Sequence, residues 1–562
     1  MTQAQESLAR FQARREEALS KVDVDLSRIP EKLSGNVTDI PRQCLSQEDI
    51  GITESSAQSL LASLAQGTLT ATAVTKAFLR RAVIAQKLVN CVHELLPERA
   101  LARAKELDEY FAKHKKPIGP LHGLPVSVKA HMGVKGCDTS SGFVAWAGRP
   151  SPDDAELLKI LIAAGAVEYV RTTEPQALLM LETKSNVTGE TVNPHNIALT
   201  PGGSSGGESA LQALYGSPLG IGTDMVSSAP TLTSIQSIGG SIRSPASNCG
   251  LYGFKPTTHR IPLTGWTAYN IGVETIWGTA GPLCPTFEGI NLMMKVILDA
   301  EPWRKDPSLH QMHWREHAQC INPKGEKKFR VGVMWDDGIV KPLPPVTRAL
   351  HEVVAKLKLV PGVEVVEWKP FHHDEAMEIL AGLYSPDGGK SYEALLQEGG
   401  ESALQLANWV AKESPAVKSH DLPALWNLLK RREAYRFNYL TEWNKLEPDM
   451  DVILCPAHPN VAPVLSTSRY WGYTSIWNIL DYPAIVFPVT RINAQLDTKE
   501  TGYTPRNDDD ALYQDNYDPV VQASAPVCLQ LVGKKMQDEM VVQAMKEIKD
   551  AIGLPFVNCL NG

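Results

Sequence analysis

No stretch of this chain is apolar for long enough to cross a bilayer. Its most apolar runs, Leu158–Ala166 and Ala484–Val489, are far shorter than the roughly 20 residues a spanning helix needs. Positive charge is not in excess either. Lys and Arg number 55 against 63 Asp and Glu, a formal net charge of −8, which excludes bulk attraction to nucleic acid. Short basic runs such as Lys324–Arg330 read as solvated surface. There is no CxxC. The nine cysteines are odd in number and scattered, so they fit reduced, mostly buried thiols of a cytoplasmic protein better than a disulfide framework or a zinc ribbon. The first 20 residues lack the apolar core of a secretory signal, and Glu6, Glu16 and Glu17 argue against an organelle transit peptide. Low-complexity tails and internal repeats are missing too, since the 41 glycines and 39 prolines are spread along the chain.

What is present is a long chain able to bury a large core: 562 residues, 43% of them hydrophobic. Apolar stripes at helical spacing mark Ser55–Ala65, Thr72–Val89, Glu98–His114, Asp153–Ala164, Pro345–Leu357 and Asp538–Ile552. Thr70 is placed to cap the second of these. A further helix is expected over Ser209–Tyr215, after the second glycine pair of PGGSSGG. Short buried runs mark strands at Leu124–Val128, Val167–Val170, Lys328–Trp335, Val363–Val366, Val452–Pro456, Ile485–Val489 and Val527–Leu531. This alternation predicts one large α/β body with a central mixed sheet and helices on both faces. Residues 1–50 read as an N-terminal helix and irregular arm, and 51–562 as the main domain. Within it, 371–446 is a mostly helical insertion or lid layer.

Two glycine-wrapped serine runs carry the chemistry: Pro201–Gly207 (PGGSSGG) and Ile238–Arg243 (IGGSIR). Glycines there let backbone N–H groups converge on a developing oxyanion. A serine hydroxyl needs a base, and none of the 14 histidines stands in an obviously helpful context, although His122, His131 and His195 lie near the relevant loops. Lys129 ends the nearly uncharged run LHGLPVSVK. Burial lowers a lysine's pKa. A neutral Lys129 can accept a proton from Ser204, which accepts one from Ser241. The plainer alternative for Lys129 is an ion pair at a strand end. Ser205 sits at the centre of a GxSxG match, but no buried strand runs into it, so the match is read as chance. A phosphate nest at the helix start is disfavoured by the missing GxxxxGK[ST] and by Glu208. His372–Asp374 and Asp508–Asp510 read as solvated loops rather than metal sites.

The runs LHGLPVSVK, PGGSSGGES, GTD, IGGSIRSPA and GLYGFKPT resemble the amidase signature family over roughly residues 50–550. ITESSAQSLLASLAQGTLT and YWGYTSIWNILDYPAIVFPVT resemble its fungal acetamidase and general amidase branch. The resemblance implies hydrolysis of small or general monocarboxylic acid amides, acetamide-like, to carboxylate and ammonia. It implies a Ser–cis-Ser–Lys triad with Ser241 as nucleophile, Ser204 as bridging serine behind a cis Gly203–Ser204 bond, and Lys129 as base. The N–H groups of Ile238, Gly239, Gly240 and Ser241 would form the oxyanion hole, with Ser205, Asp224 and Arg243 in support. No metal or organic cofactor is implied. The expected partner is a small-molecule amide, not nucleic acid, and a homodimer is left open. The rival readings are a hydrolase of larger amides or esters, such as fatty acid amides, and an amidase fold that has lost activity.

Two departures from the family pattern stand out. Where GTD should run directly into IGGS, thirteen residues (MVSSAPTLTSIQS, 225–237) intervene, so Ser204 and Ser241 stand 37 apart instead of 24. Three readings compete: a tolerated loop, a disruption of the oxyanion strand, or an error in the assigned coding sequence. A register shift that makes Ser228 the nucleophile is disfavoured, because Val and Ser would replace the two glycines. The second departure is Ala130, where the family commonly has an acid after the lysine. A modest effect on rate or substrate fit is expected from it.

Overall fold

Runs of buried aliphatic residues build the sheet, and Pro125–Lys129 (PVSVK), buried at all five positions, is typical. The computed structural model describes residues 2–224, 239–269, 274–325 and 327–560. Among them, eleven strands form one mixed sheet. In chain order these are β1 (Val92–Leu95), β2 (Pro125–Lys129), β3 (Val167–Thr172), β4 (Gly220–Asp224), β5 (Tyr252–Lys255), β6 (Thr279–Cys284), β7 (Phe329–Val333), β8 (Val363–Glu367), β9 (Val452–Pro456), β10 (Ala484–Arg491) and β11 (Pro526–Val532). Their spatial order is β1-β3-β2-β4-β6-β5-β10-β11-β9-β7-β8. The trios β3-β2-β4 and β9-β7-β8 are parallel, and the strands between them pair antiparallel. Helices flank the sheet, which is the expected α/β class.

Helix ends follow local chemistry. Thr70 caps the helix Ala71–Val89 by accepting from the Ala73 N–H at 3.1 Å. The stripe Val74, Phe78 and Ala82 is fully buried, and the helix packs on Pro97–His114. Residues 371–446 supply the helices His373–Tyr384, Lys390–Gly399 and Leu422–Asn444. With Gly472–Ile479 they enclose a second apolar cluster around Tyr384, Tyr392, Trp443 and Trp477. Among the described residues no helix is long and apolar enough to cross a membrane.

Several elements differ from the sequence reading. The helix after PGGSSGG starts at Gly206, not Ser209, so the glycine pair lies inside its first turn. A Cβ at Gly207 would stand 2.4 Å from the Thr173 nitrogen, so close packing outweighs the poor helix propensity of glycine. Strand β6 (TAGPLC) was masked by Gly281 and Pro282, which usually mark a strand edge or bulge. It lies inside the sheet, and a Cβ at Gly281 would stand 2.1 Å from the Phe254 carbonyl oxygen. The runs at His372–Asp374 and Asp508–Asp510 are not solvated loops. Each opens a helix, and Asp510 is buried, accepting from the Tyr503 hydroxyl at 2.6 Å. The insert at 225–237, Ser228 within it, and Ile238 lie outside the described residues.

This packing predicts opposite outcomes for two glycines. Gly281→Ala should cost about 1–3 kcal/mol through overpacking. Gly51→Ala, on an exposed helix turn with no atom within 4 Å of the added methyl, should be neutral or stabilise by about 0.5–1 kcal/mol. Urea denaturation midpoints of the two variants check both.

Candidate active site

Strand register assembles the site. β2 pairs in parallel with β3 on one side and β4 on the other, with Lys129 opposite Thr172 and Val128 opposite Ile221. The carboxyl ends of all three strands therefore arrive at one edge, where open α/β sheets form their binding crevices. That edge carries Lys129 at the end of β2, Thr223 and Asp224 at the end of β4, and Glu174 two residues past β3. Ser204 lies just before the helix Gly206–Ala213, after a cis Gly203–Ser204 peptide. The Ser205 N–H donates to the Ser241 carbonyl oxygen at 3.2 Å, which joins the two serine-bearing segments.

Lys129 Nζ stands 2.5 Å from Ser204 Oγ and 3.0 Å from Thr223 Oγ1. Lys129, Ser204, Ser205, Thr223, Asp224, Ser241 and Arg243 are all fully buried. Among the described residues Lys129 makes no ion pair, so its neighbours are hydroxyls rather than the partner of a strand-end salt bridge. Burial pushes its pKa from 10.5 down to about 7, with Glu174, Asp224 and Glu208 opposing the shift from a distance. An amine that is neutral in about half of the molecules at pH 7, and in most of them above it, can take a proton from a hydroxyl.

Asp224 ties the second serine segment to the sheet. Its carboxylate accepts from the Gly240 N–H at 2.6 Å, from Arg243 Nε at 3.0 Å and Nη2 at 2.9 Å, and from Asn478 Nδ2 at 3.0 Å. Arg243 Nη2 also donates to Asn478 Oδ1 at 2.6 Å. Gly240 takes φ +118°, and a Cβ there would stand 2.2 Å from Thr474 Oγ1, so only glycine fits without displacement. The Gly239 N–H donates to the Tyr384 hydroxyl at 2.6 Å. Two of the N–H groups expected to face an oxyanion, those of Gly239 and Gly240, are thus engaged within the protein.

The structure also gathers residues that carry no role in the sequence reading. His131, one of three histidines noted near the loops, has Nε2 3.2 Å from Thr223 Oγ1 and Nδ1 2.5 Å from Glu174 Oε2. His195 instead faces the Cys249 carbonyl, and His122 accepts from the Ile118 N–H. Glu174, Thr223, Tyr384 and Asn478 carry no local motif beyond the GTD run. Ala130 is fully buried, and its carbonyl accepts from Arg171, which pairs with Glu94.

Removing Asp224 leaves the Arg243 guanidinium buried without its counter-charge. Asp224→Ala should therefore lose about 3–5 kcal/mol of stability, read as a lower urea midpoint, and Asn478→Ala should lose less because the ion pair survives.

The amidase family profile matches residues 73–542. A Schizosaccharomyces pombe protein whose name assigns it as an amidase is 43% identical over 526 residues, covering 93% of this chain and 95% of that protein. The acetamidase of Emericella nidulans is 37% identical over 526 residues, 92% of this chain and 93% of the relative. Among solved structures, a fatty acid amide hydrolase superposes with a TM-score of 0.89 at 33% identity, covering 98% of this chain and 95% of its own. Matched along most of its length by sequence and by fold, the chain belongs to the amidase family and is an amide hydrolase.

Proposed function

We propose that the protein hydrolyses small linear carboxamides to carboxylate and ammonia through Ser241, Ser204 and Lys129. The observation that carries this reading is the Lys129 amine, fully buried and 2.5 Å from Ser204 Oγ. Neutral Lys129 accepts the Ser204 proton as Ser204 accepts the Ser241 proton, and Ser241 Oγ bonds to the amide carbon. The proton then returns along the same path to the amide nitrogen. The C–N bond breaks, ammonia leaves, and an acyl ester remains on Ser241. Water, deprotonated by the same relay, attacks the ester, and the returning proton restores the Ser241 hydroxyl. The backbone N–H groups of residues 238–241 are the proposed donors to the oxyanion. Gly239 serves once the Tyr384 hydroxyl yields its place, and the Gly240 N–H, held by the Asp224 carboxylate, drops out of that set. Ser205, Asp224 and Arg243 fix the geometry.

The Emericella nidulans acetamidase supports a small substrate. The likeness to a fatty acid amide hydrolase favours a second reading, in which longer acyl chains are accepted. The Asp224–Gly240 contact bears on the thirteen-residue insert. It bridges the two segments on either side of 225–238, as a tolerated loop requires, and so argues against an inactive fold. Nine cysteines without a disulfide support a cytoplasmic setting.

Purified protein should hydrolyse acetamide or benzamide, and Ser241→Ala should abolish turnover. A preference for long-chain amides across the same panel would select the second reading, and inactivity of the wild type on every amide would overturn both. The base must be neutral, so kcat/KM should decline as pH drops through about 7 and fall roughly tenfold per unit below about pH 6. Deleting 225–237 should leave kcat/KM within about threefold, since loop length changes closure entropy only slowly. A large gain on deletion would mean that the insert disturbs the site.

A further inference from the structure

Behind Lys129 lies a buried ionisable pair that the steps above leave unused. Glu174 Oε2 is 2.5 Å from His131 Nδ1 and also accepts from the His131 backbone N–H at 3.1 Å. His131 Nε2 is 3.2 Å from Thr223 Oγ1, which is itself 3.0 Å from Lys129 Nζ. Lys129, His131 and Thr223 are fully buried, and Glu174 is 1% exposed. The four side chains come from three neighbouring strand ends and form one continuous line with Ser204 at its far end.

The donor inventory gives this line a direction. A carboxylate only accepts, so the ring proton sits on Nδ1. The ring itself is neutral, because burial pushes His131 down to about 4 against the opposing charge of Glu174. Nε2 of a neutral ring is then an acceptor and takes the one proton of the Thr223 hydroxyl. Towards Lys129 the hydroxyl oxygen has only lone pairs to offer. Lys129 must spend an N–H on Thr223, so the lone pair of the neutral amine is kept off Thr223 and is free to face Ser204. We infer that Glu174 and His131 are positioning residues that act through Thr223 to aim the Lys129 lone pair at Ser204. This inference rests on the reading of Lys129 as the base. The bland alternative is core packing, since the His131 ring also lies 5.1 Å from that of Trp266.

The test uses the full chain and has two readouts. The first needs no turnover: in protein labelled with 15N-histidine, with His131→Gln to assign the signal, the ring should be neutral with its proton on Nδ1 at pH 7. A proton on Nε2, or a charged ring, would overturn the inference. The second readout is kinetic. Glu174→Gln should lower kcat about tenfold or more with little change in KM, the range typical of partners behind a reacting group. Charges facing Lys129 are Glu174, Asp224 and Glu208, and those facing His131 are Glu174, Lys129 and Arg171. Losing the Glu174 charge makes protonated Lys129 less favourable, so the acid limb of kcat/KM should move to lower pH. Thr223→Val should lower kcat similarly, and Thr223→Ser should recover most of that loss. In the Thr223→Val background, Glu174→Gln should cost less than twofold more. Fully multiplicative losses, or an unmoved rate and acid limb in Glu174→Gln, would mean that the pair only packs. A wild type without amidase activity would sink the base reading, while the ring measurement would still decide the arrangement of the pair.

Discussion

One buried carboxylate holds the site together. Asp224 ends a central strand, and its two oxygens serve the Gly240 N–H, the Arg243 guanidinium and the Asn478 amide. Those partners belong to two separate parts of the chain: the segment that runs from the glycine turn before Ser241 into the helix Arg243–Cys249, and the helix Gly472–Ile479. A fully buried ion pair is a poor source of net stability, because desolvating both charges consumes most of their attraction. Its value here is geometric. Every acceptor position points to a specific donor, so a one-residue slip of the glycine turn would leave a buried charge unpaired. That penalty explains how the Ser241 segment keeps its place beside the sheet although thirteen extra residues precede it.

The same principle runs in reverse at Lys129. Here burial without a carboxylate in contact is the point. A salt bridge would hold the amine protonated, whereas two uncharged hydroxyl partners leave desolvation to dominate. Bringing the pKa from 10.5 to about 7 corresponds to about 5 kcal/mol of disfavoured charge. The surrounding sheet supplies that from its own packing. Asp224 and Lys129 are therefore complementary uses of one low-dielectric strand edge: a charge kept because it is fully paired, and a charge discouraged because it is not.

Much of this was legible in the residues. Val452–Pro456 and Asp538–Ile552 fall where their patterns end, because a continuous apolar run and a well-marked amphipathic stripe need no tertiary context. The helix Ala71–Val89 follows its threonine cap for the same reason. Lys129 and Ser204 were legible as a pair of motifs. The line from Glu174 through His131 to Thr223 was not, since these residues lie up to 92 positions apart and meet only through the register of three strands. Tyr384 and Asn478 were hidden likewise, on helices whose sequences show only apolar patterning. Strand β6 failed locally: Gly281 and Pro282 oppose a strand by propensity, and only the contact with Phe254 shows why a glycine must be there.

The contact between Tyr384 and Gly239 joins the helical layer to the glycine turn before Ser241. Tyr384 ends the helix His373–Tyr384, and its ring lies 6.1 Å from that of Trp471, which in turn is 5.5 Å from Trp409. The aromatic wall of the layer therefore reaches the backbone N–H of the turn before Ser241. Tyrosine suits this place because its hydroxyl accepts from an N–H yet stays protonated, burial having raised its pKa. A change in the helices of residues 371–446 that shifts this ring shifts a donor on the turn carrying Ser241. Variation in the layer should then move rate as well as affinity, because remote packing and the turn carrying Ser241 share one hydrogen bond.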